Sequence, residues 1–198
     1  MAVDLHTATD EYSIAAGSGA GRQVLAFAEV FLISVWLGSM IFFSFAVAPS
    51  AFAVLPTREL AGAIVTSTIS KIEILGLAIG PLLLMIQAIN ARTVRVSTGI
   101  KLFKLILVVI MIVTAALSHF WISARMVSVR AAMGGHIDDV ALTDPMRVQF
   151  NDLHQYSVAL MSTAMLAGIV LLFLVVRSWL AKPLESTRVL PKGEAARE

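Results

Sequence analysis

Two histidines are the residues of this sequence best suited to holding a cofactor. His119 lies in the stretch ALSHFW and His154 in the stretch FNDLHQYSVAL, each near the end of a long apolar run. Because the two runs are predicted to cross the membrane in opposite directions, both rings are expected at a similar depth. Two imidazoles at one level on two helices are the minimum for a bis-histidine haem site or a transition-metal site. The alternative is that each ring lies at the headgroup level and bonds to water or backbone.

Glu29 is the second candidate, because a carboxylate inside an apolar run is costly to bury in a bilayer and is by default a functional candidate. It lies near the start of the first apolar run, while Gln87 and Asn90 end the second run at about the same depth. This arrangement is compatible with a proton or cation relay. The alternative is a hydrogen-bonded carboxylate that fixes the register of the helices.

The composition predicts that these residues belong to a membrane protein. Of the 198 residues, 58% are hydrophobic and 14% are charged, whereas a soluble domain averages about 25% charged residues. Four runs are long enough to cross roughly 30 Å of hydrocarbon, at residues 24–48, 72–89, about 100–121 and about 153–176. The net charge is only +2 and the Lys and Arg are scattered singly, which argues against nucleic-acid binding and leaves the lipid bilayer as the expected partner.

The predicted fold is therefore an all-α, four-transmembrane-helix bundle with a long loop between the third and fourth spans. Residues 1–22 are expected to form an N-terminal tail, 23–178 the transmembrane domain and 179–198 a C-terminal tail. Four spans leave both termini on one side, which carries ten Lys and Arg against five on the other. The positive-inside rule then predicts an inner-membrane protein with both termini in the cytoplasm.

The helix boundaries are predicted from local signals. Pro49 is expected to end the first helix. Residues 57–72 have the period of an amphipathic helix, which either lies on the outer surface or extends the second span. The stretch Thr143-Asp144-Pro145 predicts the start of the fourth helix, because a capping side chain precedes a proline in the first turn.

Pairs of small residues four apart predict close packing between the helices, because they let two backbones approach in lipid. Three spans carry such a pair: Ser34 and Gly38, Gly76 and Gly80, and Ala164 and Gly168. Trp36 stands two residues before Gly38. A large ring beside a glycine notch suits either a filled packing layer or a flat ligand.

The chain resembles a bacterial family of four-helix membrane proteins, the domain-of-unknown-function family 4149. The resemblance covers about residues 24–178 and is carried by Trp36, Gly38, Phe42, Val47-Ala48-Pro49, Phe52, and Leu153-His154 with Ser157. It implies the architecture described above and brings no established activity.

A looser similarity extends to copper-resistance membrane proteins and to four-helix, haem-binding protoporphyrinogen oxidases. Those proteins also carry a Trp and a Gly two residues apart in their first helix. In the oxidases a haem-related His precedes that Trp by about two turns, and the matching position here is Glu29. The similarity therefore implies no haem ligand from the first helix of this chain.

The favoured function is a non-enzymatic accessory or assembly subunit of a larger membrane complex, with protein partners or a second copy of itself. No Ser/His/Asp order, P-loop, HExxH motif or glycine-rich dinucleotide motif occurs in the sequence, so an enzyme is not favoured. One alternative is a redox or resistance protein that binds haem or a transition metal through His119 and His154. A second is a small proton-coupled transporter that uses Glu29 with Gln87.

Overall fold

A computed structural model describes residues 5–93, 97–134 and 137–180, and every regular element in these ranges is helical. The first helix, α1, spans Leu5–Phe42, so it begins inside the segment predicted to be an N-terminal tail. Most of the predicted C-terminal tail, residues 181–198, lies outside the described ranges.

Pro49 does not end the first helix, so that prediction is wrong. A π-turn over Phe43–Val47 follows α1 directly, and α2 continues the same rod over Ala48–Val54. In the π-turn the N–H of Ala48 reaches back five residues to the carbonyl of Phe43. This wider turn closes just before Pro49 and places the proline in the first turn of α2, where its missing N–H and its ring are tolerated.

The second rod is one continuous helix, α3, over Arg58–Thr93. Of the two alternatives for residues 57–72, the structure takes the extension of the second span. Part of the apolar side of this extension is covered, because Ala61 and Val65 form a small core with Phe43 and Ala51, whereas Leu60 and Ile64 remain about half exposed.

The third rod also contains a π-turn. It consists of α4 over Thr98–Leu117, a second π-turn over Ser118–Ser123 and α5 over Ala124–Ala132. Gly134 follows α5 with a φ of +71°, the left-handed conformation in which glycine commonly terminates a helix. A short 3-10 turn spans Ile137–Asp139 before the fourth rod.

The predicted start of the fourth helix is confirmed. Helix α6 spans Pro145–Leu180, and the Asp144 side chain accepts a hydrogen bond from the N–H of Met146 at 2.8 Å. The side chain thus satisfies one of the N–H groups that the first turn of a helix leaves without an intrahelical partner.

The four rods form a ring in which each rod packs against the next along the chain, and α6 closes the ring on α1. All four are long and apolar enough to cross a membrane, and only 28% to 39% of each apolar window is buried inside the bundle. The remaining apolar surface requires hydrocarbon around it. The protein is therefore a multi-pass integral membrane protein.

The centre of the bundle is built around Trp36 rather than around a ligand space. The indole is 1% exposed and lies directly against Gly76 of α3, at the position that a Cβ on that glycine would occupy. Gly80 is covered in the same way by Ile112, whereas Gly168 has Met111 in looser contact, 3.2 Å from the place its Cβ would take. Gly38 differs, because it is exposed and no atom lies within 4 Å of the place its Cβ would take.

Candidate functional site

Three helices meet at Glu29, which is completely buried. The Asn90 side-chain Nδ2 donates a hydrogen bond to its Oε2 at 3.2 Å. Lys104 Nζ lies 3.4 Å from Oε1, an ion-pair distance, although Oε1 and Nζ do not meet hydrogen-bond geometry. We call these three residues the Glu29 cluster. The charge pair joins α1 to α4, and the hydrogen bond from Asn90 adds α3, so the cluster connects three of the four rods.

Gln87, the expected relay partner of Glu29, lies one turn before Asn90 on α3. Its amide nitrogen and oxygen are buried without a hydrogen-bond partner among the described residues, and so is the Oδ1 atom of Asn90. Buried polar atoms of this kind are normally satisfied by an ordered water. On α3 the polar neighbour of Glu29 is thus Asn90, and on α4 it is Lys104.

Glu73 is a second buried carboxylate, 6% exposed, on α3. The Ser118 hydroxyl donates to its Oε1, and His119 Nδ1 lies 3.1 Å from its Oε2. The Ser123 hydroxyl lies 3.4 Å from both carboxylate oxygens. We call these four residues the Glu73 cluster. In it, one carboxylate contacts three polar side chains that all come from the second π-turn of the third rod.

The second π-turn explains how Ser118 and Ser123 reach the same carboxylate. Residues five apart diverge on an α-helix but come close to one face in the wider π-turn, whose hydrogen bonds join residues i and i+5. The Glu73 cluster was not predicted from the sequence, because Glu73 lies at the edge of the predicted second span. The available signal was that the helical period continues upstream of Glu73 to residue 57, which places the carboxylate inside a longer helix.

The two histidines have different surroundings. His119 is 24% exposed, with Nδ1 against Glu73 and its ring edge-on to Phe120, so Nε2 is the nitrogen left for water or a ligand. His154 is exposed and lines an open cleft. Within residues 5–93, 97–134 and 137–180, no group of three or more His, Cys, Asp or Glu side chains is placed to hold a metal ion. A shared haem or metal site for His119 and His154 stays a prediction.

The cleft lies at the end of the bundle where α2 leads to α3 and α5 leads to α6, and we call this the cleft end. Its volume is about 480 Å³. Its walls carry both apolar and polar side chains, and the polar members are Thr57, Arg58, Glu59, Thr66, Ser123, Arg130, Asp139, Arg147, Asn151, His154 and Ser157. Ser123 belongs both to this cleft and to the Glu73 cluster, so the buried carboxylate lies just beneath the cleft.

A layer of apolar side chains separates the two carboxylate clusters. Along α3, Ile79 and Leu83 stand between Glu73 and Asn90, and both are buried in the main core. On the neighbouring rods Trp36 and Met111 belong to the same layer. The bundle therefore holds two polar clusters at different depths with a packed apolar layer between them.

Comparison with known families identifies the chain. The model of a domain of unknown function, DUF4149, matches residues 31–134. This is more than half of the 198 residues, so the chain belongs to that family, as the motifs around Trp36 predicted. No match was found among curated proteins or among solved structures. The looser similarity to copper-resistance proteins and haem-binding oxidases stays a prediction.

Proposed function

We propose that this member of the DUF4149 family is a non-enzymatic accessory or assembly subunit of a larger membrane complex. The observation that carries this proposal is the outward-facing pair of small residues on α1. Ser34 and Gly38 are both exposed, and the space above Gly38 is empty to 4 Å. Small residues four apart are where membrane helices approach each other closely. Side chains of the same chain cover Gly76 and Gly80, but none covers Ser34 and Gly38. This uncovered pair is therefore the place where a helix of another subunit could pack closely.

The interior supports a structural role over a conducting one. Glu29 is paired with Lys104, and Glu73 is held by side chains of the second π-turn. Between these clusters lie side chains with no exposed surface, among them Leu83 and Met111. A relay of protons or cations from Glu29 would have to cross this packed layer.

The proposed location is the cytoplasmic (inner) membrane with both termini in the cytoplasm. Its support is the excess of Lys and Arg on the side of the termini, ten against five, as the positive-inside rule requires. In this orientation the cleft end faces the outer compartment, and the Glu29 cluster lies toward the cytoplasm.

The test compares Gly38→Leu with wild type after mild solubilisation. Wild type should run in native electrophoresis and native mass spectrometry as an assembly with a second copy or one stoichiometric partner. Gly38→Leu should shift it to a monomer with unchanged thermal unfolding, because the added side chain meets no atom of its own chain. Gly21→Leu is the matched control, since Gly21 lies on the same helix and is equally open. A wild-type protein that is a lone monomer in gently extracted membranes would contradict the proposal.

Haem or metal binding is a second candidate function, favoured by one observation. His119 Nδ1 is held by Glu73, and a carboxylate on one ring nitrogen commonly orients the other nitrogen toward a metal. The ultraviolet–visible spectrum and metal content of gently purified protein test this function. A Soret band or stoichiometric metal that is lost in His119→Ala and in His154→Ala supports it. A colourless, metal-free preparation opposes it.

A further inference from the structure

We propose that the cleft end holds a binding site for a phosphate-bearing ligand with an apolar group attached, and that Arg130 binds the phosphate. The volume of about 480 Å³ falls in the range of roughly 300–1,000 Å³ typical of small-molecule sites. The inference goes beyond the accessory role and does not depend on it, because it concerns a different face of the molecule from Gly38.

Arg130 is held in place by packing rather than by an acid. Its guanidinium carbon lies 5.7 Å from the centre of the Phe150 ring, and the group rests against the backbone of Gly62. No ion pair joins it to an acidic residue whose side chain the structure describes. A guanidinium placed over an aromatic face makes a cation–π contact and does not use up its N–H donors, which can bind a phosphate in a two-pronged fashion.

The other cations of the cleft are already engaged. Arg147 donates from Nη1 to the carbonyls of Ile137 and Val140, and so ties the loop before α6 to the wall of the cleft. Arg58 and Glu59 also have interactions within the chain. Arg130 is therefore the cation that we assign to the phosphate. With Arg58 and Arg147, the described walls of the cleft carry three cations against the carboxylates of Glu59 and Asp139.

The apolar part of the ligand follows from the rest of the wall. Phe52, Val65, Ile69 and Met126 line the same cleft, and they offer no hydrogen bond from their side chains. An inorganic anion would leave this surface wet, whereas an acyl chain or an aromatic ring would cover it. A lipid headgroup entering from the bilayer and a soluble organic phosphate share this chemistry.

Gly62 provides a way to disturb the site without removing its charge. A Cβ at this position would overlap the Arg130 guanidinium, so Gly62→Ala must displace that group from its place over Phe150. Arg130→Lys keeps the positive charge but loses the planar fork. Both variants should weaken phosphate binding if the fixed position of the guanidinium matters.

The experiment uses the full chain in phosphatidylcholine nanodiscs. One arm titrates phenyl phosphate by calorimetry, and the other adds phosphatidylglycerol and counts retained lipids by native mass spectrometry. Arg130→Ala should lower the affinity for the bound species about tenfold or more, as expected for a hydrogen-bonded charge. Arg125→Ala is the matched control, because Arg125 is exposed on the same helix and does not line the cleft.

The arms distinguish the two sources of the ligand. Phosphatidylglycerol that is retained by wild type, lost in Arg130→Ala and displaced by phenyl phosphate supports a lipid headgroup. Phenyl phosphate binding without retained lipid supports a soluble ligand. The proposal is overturned if wild type binds neither probe, or if Arg125→Ala and Arg130→Ala weaken binding equally. Gly62→Ala and Arg130→Lys with wild-type affinity would also overturn the role of Arg130. Unchanged thermal unfolding of each variant shows that the comparison is made on folded protein.

Discussion

Glu29 and Glu73 are both buried on the inner side of their helices, but Glu29 is paired with a lysine whereas Glu73 is held by two serines and a histidine. The Glu29 cluster joins three rods, while the polar partners of Glu73 come from one π-turn. Ser123 brings the Glu73 cluster to the floor of an open cleft. The first carboxylate therefore holds rods of the bundle together, and the second fixes the local structure beneath the cleft.

Removing the lysine should have the largest effect. Lys104→Met leaves the Glu29 carboxylate without its cation inside the bundle, and an uncompensated buried charge costs about 3–5 kcal/mol of unfolding free energy. Unfolding in mixed detergent micelles with increasing sodium dodecyl sulfate measures the loss. Adding Glu29→Gln to Lys104→Met should recover most of it. A double variant as unstable as the single one would show that Lys104 acts through packing instead of charge.

The layer between the two clusters should be the next most sensitive. Gly76→Ala places a methyl group where the Trp36 indole lies, and overpacking of this kind typically costs about 1–3 kcal/mol. The same unfolding titration gives the value. Trp36→Phe in the Gly76→Ala background should restore part of the lost stability, because the smaller ring makes room. No recovery would mean that α1 and α3 are spaced by other contacts.

Neutralising the second carboxylate should cost less than breaking the lysine pair. Glu73→Gln keeps an oxygen that accepts from Ser118, so we expect a loss of about 1–2 kcal/mol. A double-mutant cycle with His119→Ala measures the part carried by the imidazole. A loss as large as that of Lys104→Met would contradict the distinction between the two carboxylates.

The smallest effect is expected from the serine at the edge of the cleft. Ser123→Ala removes one O–H that is shared between the two carboxylate oxygens of Glu73, each 3.4 Å away. Because this contact is long, a loss of about 0.5–1 kcal/mol is expected. Ser118→Ala, which removes the closer hydroxyl, serves as the comparison in the same unfolding assay. A larger loss for Ser123→Ala than for Ser118→Ala would reverse the assignment of the principal donor.

Much of the fold could be predicted from the sequence, because a bilayer allows few ways to satisfy the backbone. Long apolar runs must be helices, since every N–H and C=O group must be satisfied within the segment. The start of α6 was equally readable from Asp144 and Pro145. The prediction at Pro49 was wrong for a local reason. Proline stops a helix when the turn before it is α-helical, because its ring then clashes with that turn and a hydrogen bond is lost. Here the preceding turn over Phe43–Val47 is a π-turn, which places Pro49 in the first turn of α2.

The partners of the polar residues could not be predicted in the same way. Asn90 contacts Glu29 across 61 positions of sequence, and Ser118 contacts Glu73 across 45. Which residues meet over such separations depends on how each helix is rotated about its own axis. Hydropathy carries little of this information when most of each apolar run faces lipid. Trp36 is an example. From the sequence its ring was expected beside the neighbouring Gly38, but in the structure it packs against Gly76 of another helix.

The second π-turn also decides which way every side chain after it faces. Each residue of an α-helix advances by about 100° around the axis, whereas the π-turn fits one more residue into about the same rotation. The side chains of α5 therefore lie about 100° from where an unbroken α-helix of the same sequence would place them. If the turn over Ser118–Ser123 closed as an α-helix with no residue removed, Arg130 would leave the wall of the cleft. In relatives of this chain, a single-residue gap at this turn is the change that lets an α-helical turn keep the same side chains of α5 facing the cleft.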